Sequence, residues 1–184
     1  MRTQAIILKK IPIREYDELV VCYTQDSGKE TFQAKSVLRP TSKQASHLDL
    51  LNFVDFSLVH GNGHPIITSA YVLNSWPHLK SSLAGLAASY FLLECFDKLV
   101  FDGQRDEKLW DFLATQFAKY NDSARLNNAN WPQIIASAKN EILAVMGYDS
   151  GTDLAGLADG HFKSLQFAKK VIRLSQWSLP NNAL

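Results

Sequence analysis

The sequence is poor in the features that announce a reaction, a membrane or an oxidising compartment. Its 184 residues include only two cysteines, Cys22 and Cys95. They lie far apart in apolar segments, so neither a disulfide framework nor a four-cysteine zinc site can be built from them. No apolar run approaches the roughly 18 residues that span a bilayer. The opening MRTQAIILKKIPIREYDE meets Lys9 and Lys10 after a few apolar residues, so it lacks the core of a signal peptide, and the cytoplasm is the expected location. Neither sign of charge dominates, since 19 Lys and Arg face 18 Asp and Glu. That balance excludes a chain coated in cations but leaves room for a local basic face. A phosphate loop, a G-x-G-x-x-G run opening a helix and a G-x-S-x-G elbow are all missing.

What is present is a globular composition, 46% hydrophobic and 20% charged, long enough for one ordinary domain or two small ones. The pattern changes near residue 78. Residues 1–80 hold nine Lys and Arg against seven acids, a net of +2, and the remainder holds ten against eleven, a net of −1. The first part predicts five short strands: Thr3 to Ile13, Leu19 to Thr24, Lys29 to Val37, Leu51 to His60 and Pro65 to Leu73. Asp26-Ser27-Gly28 supplies a hairpin turn between the second and third. Five strands in about 75 residues suit a small antiparallel barrel or sandwich, and an OB-fold is consistent with that size.

The second part predicts helices over Leu79 to Phe101, Asp106 to Tyr120, Asn130 to Met146 and His161 to Gln176, with the Asn-rich stretch Asn121 to Asn130 as a loop. Asn130 is a cap, with Pro132 in the first turn. The fold class is therefore α+β, with a barrel in residues 1–78 followed by an all-helical part in residues 79–184.

Catalytic groups are hard to assemble. His60 and His64 flank a Gly-Asn-Gly turn and form a conceivable metal pair, but no carboxylate or cysteine stands nearby to complete a ligand set, so a surface hairpin is expected. Glu15, Asp17 and Glu18 read either as catalytic carboxylates or as a solvated loop, and the loop is the simpler reading. No catalytic residue, cofactor or metal is expected. Cations are more informative. Lys35, Arg39 and Lys43 recur at four-residue intervals into the loop SVLRPTSKQAS, where cations and hydroxyls can lie along phosphates; an ordinary solvated loop is the alternative. Tyr16, Tyr23 and Phe32 can stack bases if they face outward, although in a small barrel such residues usually belong to the core. Lys163, Lys169, Lys170 and Arg173 make a second basic face on the last helix.

The N-terminal string AIILKKIPIREYDELVVCYTQDSGKETFQAKSVLRPTSK resembles the opening of the RecO family of bacterial recombination mediators. The resemblance is carried by Ala5 to Leu8, by Tyr16-Asp17-Glu18-Leu19-Val20 after Glu15, by Thr24 with Gly28-Lys29, and by Ala34-Lys35 through Arg39 to Ser42-Lys43. It continues in Leu48 to Phe56, in Ser89-Tyr90-Phe91-Leu92-Leu93-Glu94 and in Ile142 to Gly147-Tyr148. The resemblance implies an N-terminal OB-fold and a helical C-terminal domain. It also implies binding of single- and double-stranded DNA, annealing of complementary strands and help in loading RecA. RecR and the acidic C-terminal tail of single-stranded-DNA-binding protein are the implied partners. The implied DNA-binding residues are Lys29, Lys35, Arg39 and Lys43, joined by Lys9, Lys10 and Arg14. Lys163, Lys169, Lys170 and Arg173 would rim a partner groove. Two departures stand out. Many members carry a four-cysteine zinc module after the Gly-Tyr pair, whereas Gly147-Tyr148 is followed here by Asp149-Ser150-Gly151-Thr152, so a reduced linker is expected up to His161. The family glycine after Ala-Lys is Ser36, and one of its paired cations is Leu38. The competing reading is a protein-interaction scaffold of the same fold that binds DNA weakly and docks RecR or single-stranded-DNA-binding protein.

Overall fold

In a computed structural model, which describes residues 1–60, 63–126, 129–149, 151–157 and 162–177 without the side chains of 155 and 172–177, the alternating first part forms five strands. They are β1 Arg2–Pro12, β2 Glu18–Thr24, β3 Gly28–Ala34, β4 Phe53–Val59 and β5 Ile66–Asn74. The helices that follow among the described residues are α1 Pro77–Ser81, α2 Leu83–Leu99, α3 Glu107–Leu126, α4 Trp131–Val145, α5 Leu154–Leu157 and α6 Lys163–Trp177.

The strands close into a barrel in the order β1-β2-β3-β5-β4. All neighbours are antiparallel except β3 and β5, which meet in parallel at Gln33 and Ile66. This is the five-stranded OB-fold, and with the helices after it the chain is α+β. Closure depends on the length of β1. Its first residues, Arg2 to Ile6, pair with β4, while Ala5 to Pro12 pair with β2. A register shift between Ile7 and Lys9 bends the strand where it changes partner. Inward-facing side chains alternate as the sequence pattern requires: Ala5 and Ile7, Val20 and Cys22, Phe32 and Ala34, Val54, Phe56 and Leu58. Phe32 and Phe56 meet edge to face at 5.1 Å. β3 ends at Ala34, short of the expected Val37, because Ser36 adopts a left-handed conformation with φ 56°.

The chain forms two compact units. The barrel unit comprises Met1–Trp76 together with Phe96–Ala114. In it the outward face of β2 is also buried. Tyr23 packs against Phe96 at 5.3 Å and Trp110 at 6.5 Å, and its hydroxyl donates to the Asp106 carbonyl at 3.1 Å. Phe53 meets Trp110 at 5.7 Å. The β2–β3 turn is where the backbones come closest. Gly28 has φ +75°, and a Cβ there would fall 2.1 Å from the Gln104 carbonyl oxygen. Beside it Gly103 N donates to Lys29 O at 2.8 Å, and the Lys29 ammonium bonds the Asp97 carbonyl at 2.8 Å and the Asp102 carboxylate at 3.2 Å.

The second unit comprises Pro77–Cys95 and Thr115–Leu184. Phe91, Leu92, Phe117, Tyr120, Ala138, Ile142 and Leu143 lie in its interior. The Asn130 side chain accepts from Gln133 N at 3.4 Å and caps α4, as its position before Trp131-Pro132 predicts. The loop expected over Asn121 to Asn130 is instead helix as far as Leu126. Asn121 is held in α3 by a use that periodicity does not show: its Oδ1 accepts from His78 N and Leu79 N, both at 3.1 Å, and satisfies the start of α1. The stretch expected as linker between Tyr148 and His161 contains α5, and His161 itself lies outside the described residues. α2 is buried over most of its surface, with Ala87, Phe91, Leu93 and Phe96 inside as well as Ala84, Ala88, Leu92 and Cys95, while Leu83 and Tyr90 are exposed.

Two outcomes follow from the β2–β3 turn. Gly103→Ala meets only the left-handed backbone penalty, since no atom lies within 4 Å of its Cβ, and should cost about 1 kcal/mol in urea denaturation. Gly28→Ala adds a backbone collision to the same φ class and should cost upward of about 3 kcal/mol; equal costs would show that residues 102–105 are not docked on the turn. Burial pushes the Tyr23 phenol up to about 12, and donation of its proton to the Asp106 carbonyl also favours the neutral form. Because the folded value lies above the unfolded one near 10, the stabilisation is complete below about pH 10 and is lost as the pH rises toward 12. Tyr23→Phe should therefore be less stable than the parent by about 1 kcal/mol at pH 8, with the difference shrinking in thermal melts between pH 10 and 12.

Candidate nucleic-acid interface

The short segment between β1 and β2 is a tight loop, closed by Ile13 N donating to Asp17 O at 3.0 Å. Asp17 then fastens it to the chain leaving β3. Its Oδ1 accepts from Ser36 N at 2.7 Å and its Oδ2 from Gln33 Nε2 at 3.4 Å, while Leu38 N donates to Tyr16 O at 3.0 Å. Arg39 N to Ser36 O at 3.3 Å and Ser42 N to Arg39 O at 2.9 Å continue the turn. Residues 13–17 and 35–39 thus form one hydrogen-bonded ridge at the end of the barrel. The left-handed backbone at Ser36 explains why glycine suits this position in the family that the sequence resembles.

Four cations project from this part of the unit. Arg14, Lys35, Arg39 and Lys43 are exposed. Arg14, Lys35 and Lys43 make no ion pair with any described residue. Arg39 places its guanidinium carbon 5.2 Å from the centre of the Tyr16 ring. Tyr16 is 36% exposed, whereas Tyr23 and Phe32 are core residues. Ile11, Ile13 and Leu38 are exposed beside the same segments. The ridge therefore offers unpaired positive charge, one aromatic face and a few apolar side chains, a combination suited to a flexible polyanion with bases.

The other expected cations are placed differently. Lys29 is a correction: it is 8% exposed and its ammonium is taken by Asp102 and the Asp97 carbonyl, so it anchors the barrel to residues 97–103 and is not offered to phosphate. Lys9 pairs with Asp97 at 2.8 Å and Lys10 with Glu18 at 3.0 Å, which offsets both charges locally. The three carboxylates near β2 go separate ways. Glu15 sits beside the Tyr16 hydroxyl and raises its pKa through a hydrogen bond, Asp17 ties the ridge, and Glu18 is buried against Lys10. That division leaves no paired acid and base. His60 and His64 are exposed, and no group of three metal-ligating side chains occurs among the described residues. Burial pushes the thiols of both Cys22 and Cys95 far up, so neither is a ready nucleophile.

On α6, Lys163, Lys169 and Lys170 are exposed, and the Arg173 side chain lies outside the described residues. The start of α6 is held by Glu94 of α2, whose carboxylate accepts from Lys163 N at 3.2 Å, from Ser164 N at 2.9 Å and from the Ser164 hydroxyl. Phe91 and Phe162 pack edge to face at 5.9 Å beside it. Sequence reasoning missed Glu94 as a cap because the acceptor is remote in the chain from the helix it caps.

Comparison with known proteins agrees with this architecture. Residues 1–76 match the family described as recombination protein O N terminal. A DNA repair protein RecO of Acaryochloris marina is 30% identical over 133 residues, which is 72% of this chain and 43% of that protein. One from Clostridium kluyveri is 25% identical over 166 residues, 90% of this chain and 63% of that protein. One from Dehalococcoides mccartyi is 33% identical over 93 residues, 50% and 37% respectively. The chain spans about half the length of the relatives it matches. With an OB-fold barrel over the matched residues and similarity that runs on into the helices, this chain belongs to the RecO family.

Proposed function

We propose that this chain is a DNA repair and recombination mediator that binds single- and double-stranded DNA through the barrel, anneals complementary strands and assists RecA loading together with RecR. The observation that carries this reading is the ridge on which Arg14, Lys35 and Arg39 are exposed and make no ion pair with any described residue, held by Asp17 and followed by Lys43. Annealing demands little chemistry. Two polyanions must be kept together long enough to pair, so phosphates must be neutralised while base edges stay free. Exposed cations on a fixed turn meet that demand, and no cofactor or catalytic group enters it. Residues 1–78 would carry the DNA and residues 79–184 the partner surfaces. Lys163, Lys169 and Lys170, with Arg173, would then face the acidic tail of single-stranded-DNA-binding protein by charge complementarity. No helix among the described residues is long and apolar enough to cross a membrane, and the proposed site of action is the bacterial cytoplasm at the nucleoid.

A second reading, a scaffold that docks RecR or single-stranded-DNA-binding protein and binds DNA only weakly, is favoured by the engagement of Lys9, Lys10 and Lys29 within the molecule. The two readings differ in salt dependence. Four free cations, each releasing about 0.7 of a counterion from a single strand, predict a slope near −3 for the logarithm of affinity against the logarithm of salt concentration. Fluorescence anisotropy of a labelled oligonucleotide should give that slope. Lys35→Ala with Arg39→Ala should reduce it to roughly half, with unchanged circular dichroism and slower annealing of complementary strands. Affinity that ignores both salt and the double substitution would favour the scaffold.

A further inference from the structure

Charge alone does not account for the ridge, because an exposed aromatic ring stands among its cations. Tyr16 is held at its backbone and at its ring. Its carbonyl accepts from Leu38 N at 3.0 Å, and the Arg39 guanidinium lies 5.2 Å from its ring centre. The neighbouring Asp17 ties the same loop to Ser36 at 2.7 Å. A tyrosine left 36% exposed on a hydrogen-bonded loop, with a guanidinium over its ring, gives up less freedom on binding than an aromatic on an untied loop. Among the described residues no second ring packs on it, whereas Tyr23, Phe32, Phe53, Phe56 and Phe96 all stack within the barrel unit. An ordered aromatic face beside unpaired cations is the arrangement by which OB-folds take up unstacked bases.

We infer that Tyr16 is a base-stacking residue, positioned by Arg39, that makes the ridge select unpaired nucleotides over phosphate alone. The inference rests on the DNA-binding reading above and adds a substrate class to it: the preferred ligand is single-stranded DNA with its bases present. A duplex presents the same phosphates but keeps its bases stacked on each other, so it gains only the electrostatic part. Arg39 then has two roles, as a phosphate partner and as the group that holds the ring, and Arg39→Lys should keep the first while weakening the second, because the ammonium lacks the planar face that lies over an aromatic ring.

The test compares an oligo-dT with an abasic chain of equal length, in which the phosphates remain and the bases are absent. The full chain should bind oligo-dT about tenfold more tightly than the abasic chain at low salt. Tyr16→Leu should abolish this preference while leaving abasic affinity within about twofold, and Tyr16→Phe and Tyr16→Trp should retain it. Lys35→Ala should weaken both ligands alike. A Tyr16→Leu protein with parental circular dichroism that still prefers oligo-dT overturns the inference and leaves the DNA-binding reading intact. Equal binding of both ligands by the parent does the same. Absence of binding to either ligand overturns the DNA-binding reading itself and the stacking role with it.

Discussion

A lysine ammonium withdrawn from water at the β2–β3 turn governs the barrel unit. A charge in that position must be paired and hydrogen-bonded or its desolvation outweighs what the surrounding burial contributes. Lys29 meets this with Asp102 and the carbonyl of Asp97, and so binds the end of α2 and the turn after it to the barrel. Gly28 allows the backbones to come together, and Gly103 N returns a hydrogen bond to Lys29 O. Once residues 96–114 lie there, the outward face of β2 is interior, and Tyr23 becomes a packing residue with its hydroxyl satisfied by Asp106. The consequence for function is one of exclusion. The face that a strand-based reading would give to DNA is covered, and Arg14, Lys35, Arg39 and Lys43 are exposed instead on the segments that follow β1 and β3.

At that end a carboxylate does the organising. Asp17 has two oxygens and uses both, one on a backbone amide across the loop and one on Gln33 of the adjacent strand. An acid amid cations ordinarily weakens an anion site. Here its hydrogen bonds are directed inward at the ridge, and it sets the conformation of the turn that carries Lys35 and Arg39. Its own charge is partly offset by the donors it accepts. The left-handed Ser36 follows from this geometry, since the amide can reach Asp17 only if the chain turns back at that residue. A serine where glycine is easier stores a small strain that the hydrogen bond offsets.

Legibility differed between the two halves of the chain for physical reasons. Barrel strands with one buried face print an alternation on the sequence, so Val54, Phe56 and Leu58 are recognisable as one face of a strand from their spacing alone. β1 and β2 are buried on both faces and lose the alternation, yet their β-branched composition still marks them as strands. Helix faces were harder, because α2 is apolar nearly all round and periodicity could not choose between Leu83 and Ala84 as the buried side. The site was legible in its types but not in its pairing. Lys29 and Lys35 look alike in sequence, six residues apart on one strand and its extension. What separates them is whether a distant acid reaches them, and Asp102 lies on a segment whose return to the barrel no local pattern announces. The capping uses of Asn121 and Glu94 were hidden in the same way, each bonding to backbone far along the chain.

The same pairing resolves how a nearly neutral chain can carry a polyanion site. Overall balance counts every charge equally, but a phosphate meets only those whose counter-charges are not already supplied. Lys9, Lys10 and Lys29 are matched by Asp97, Glu18 and Asp102, so these six groups contribute little field beyond their immediate surroundings. With such matched pairs set aside, Arg14, Lys35, Arg39 and Lys43 face only Glu15 and Asp17 within residues 13–17 and 35–43, four cations against two acids. Net charge over the chain thus does not locate the site, and simple cation counting overestimates it. The field a ligand meets is set by which cations the fold has left without acids. In this chain that division follows from the burial of one lysine and the inward aim of one aspartate.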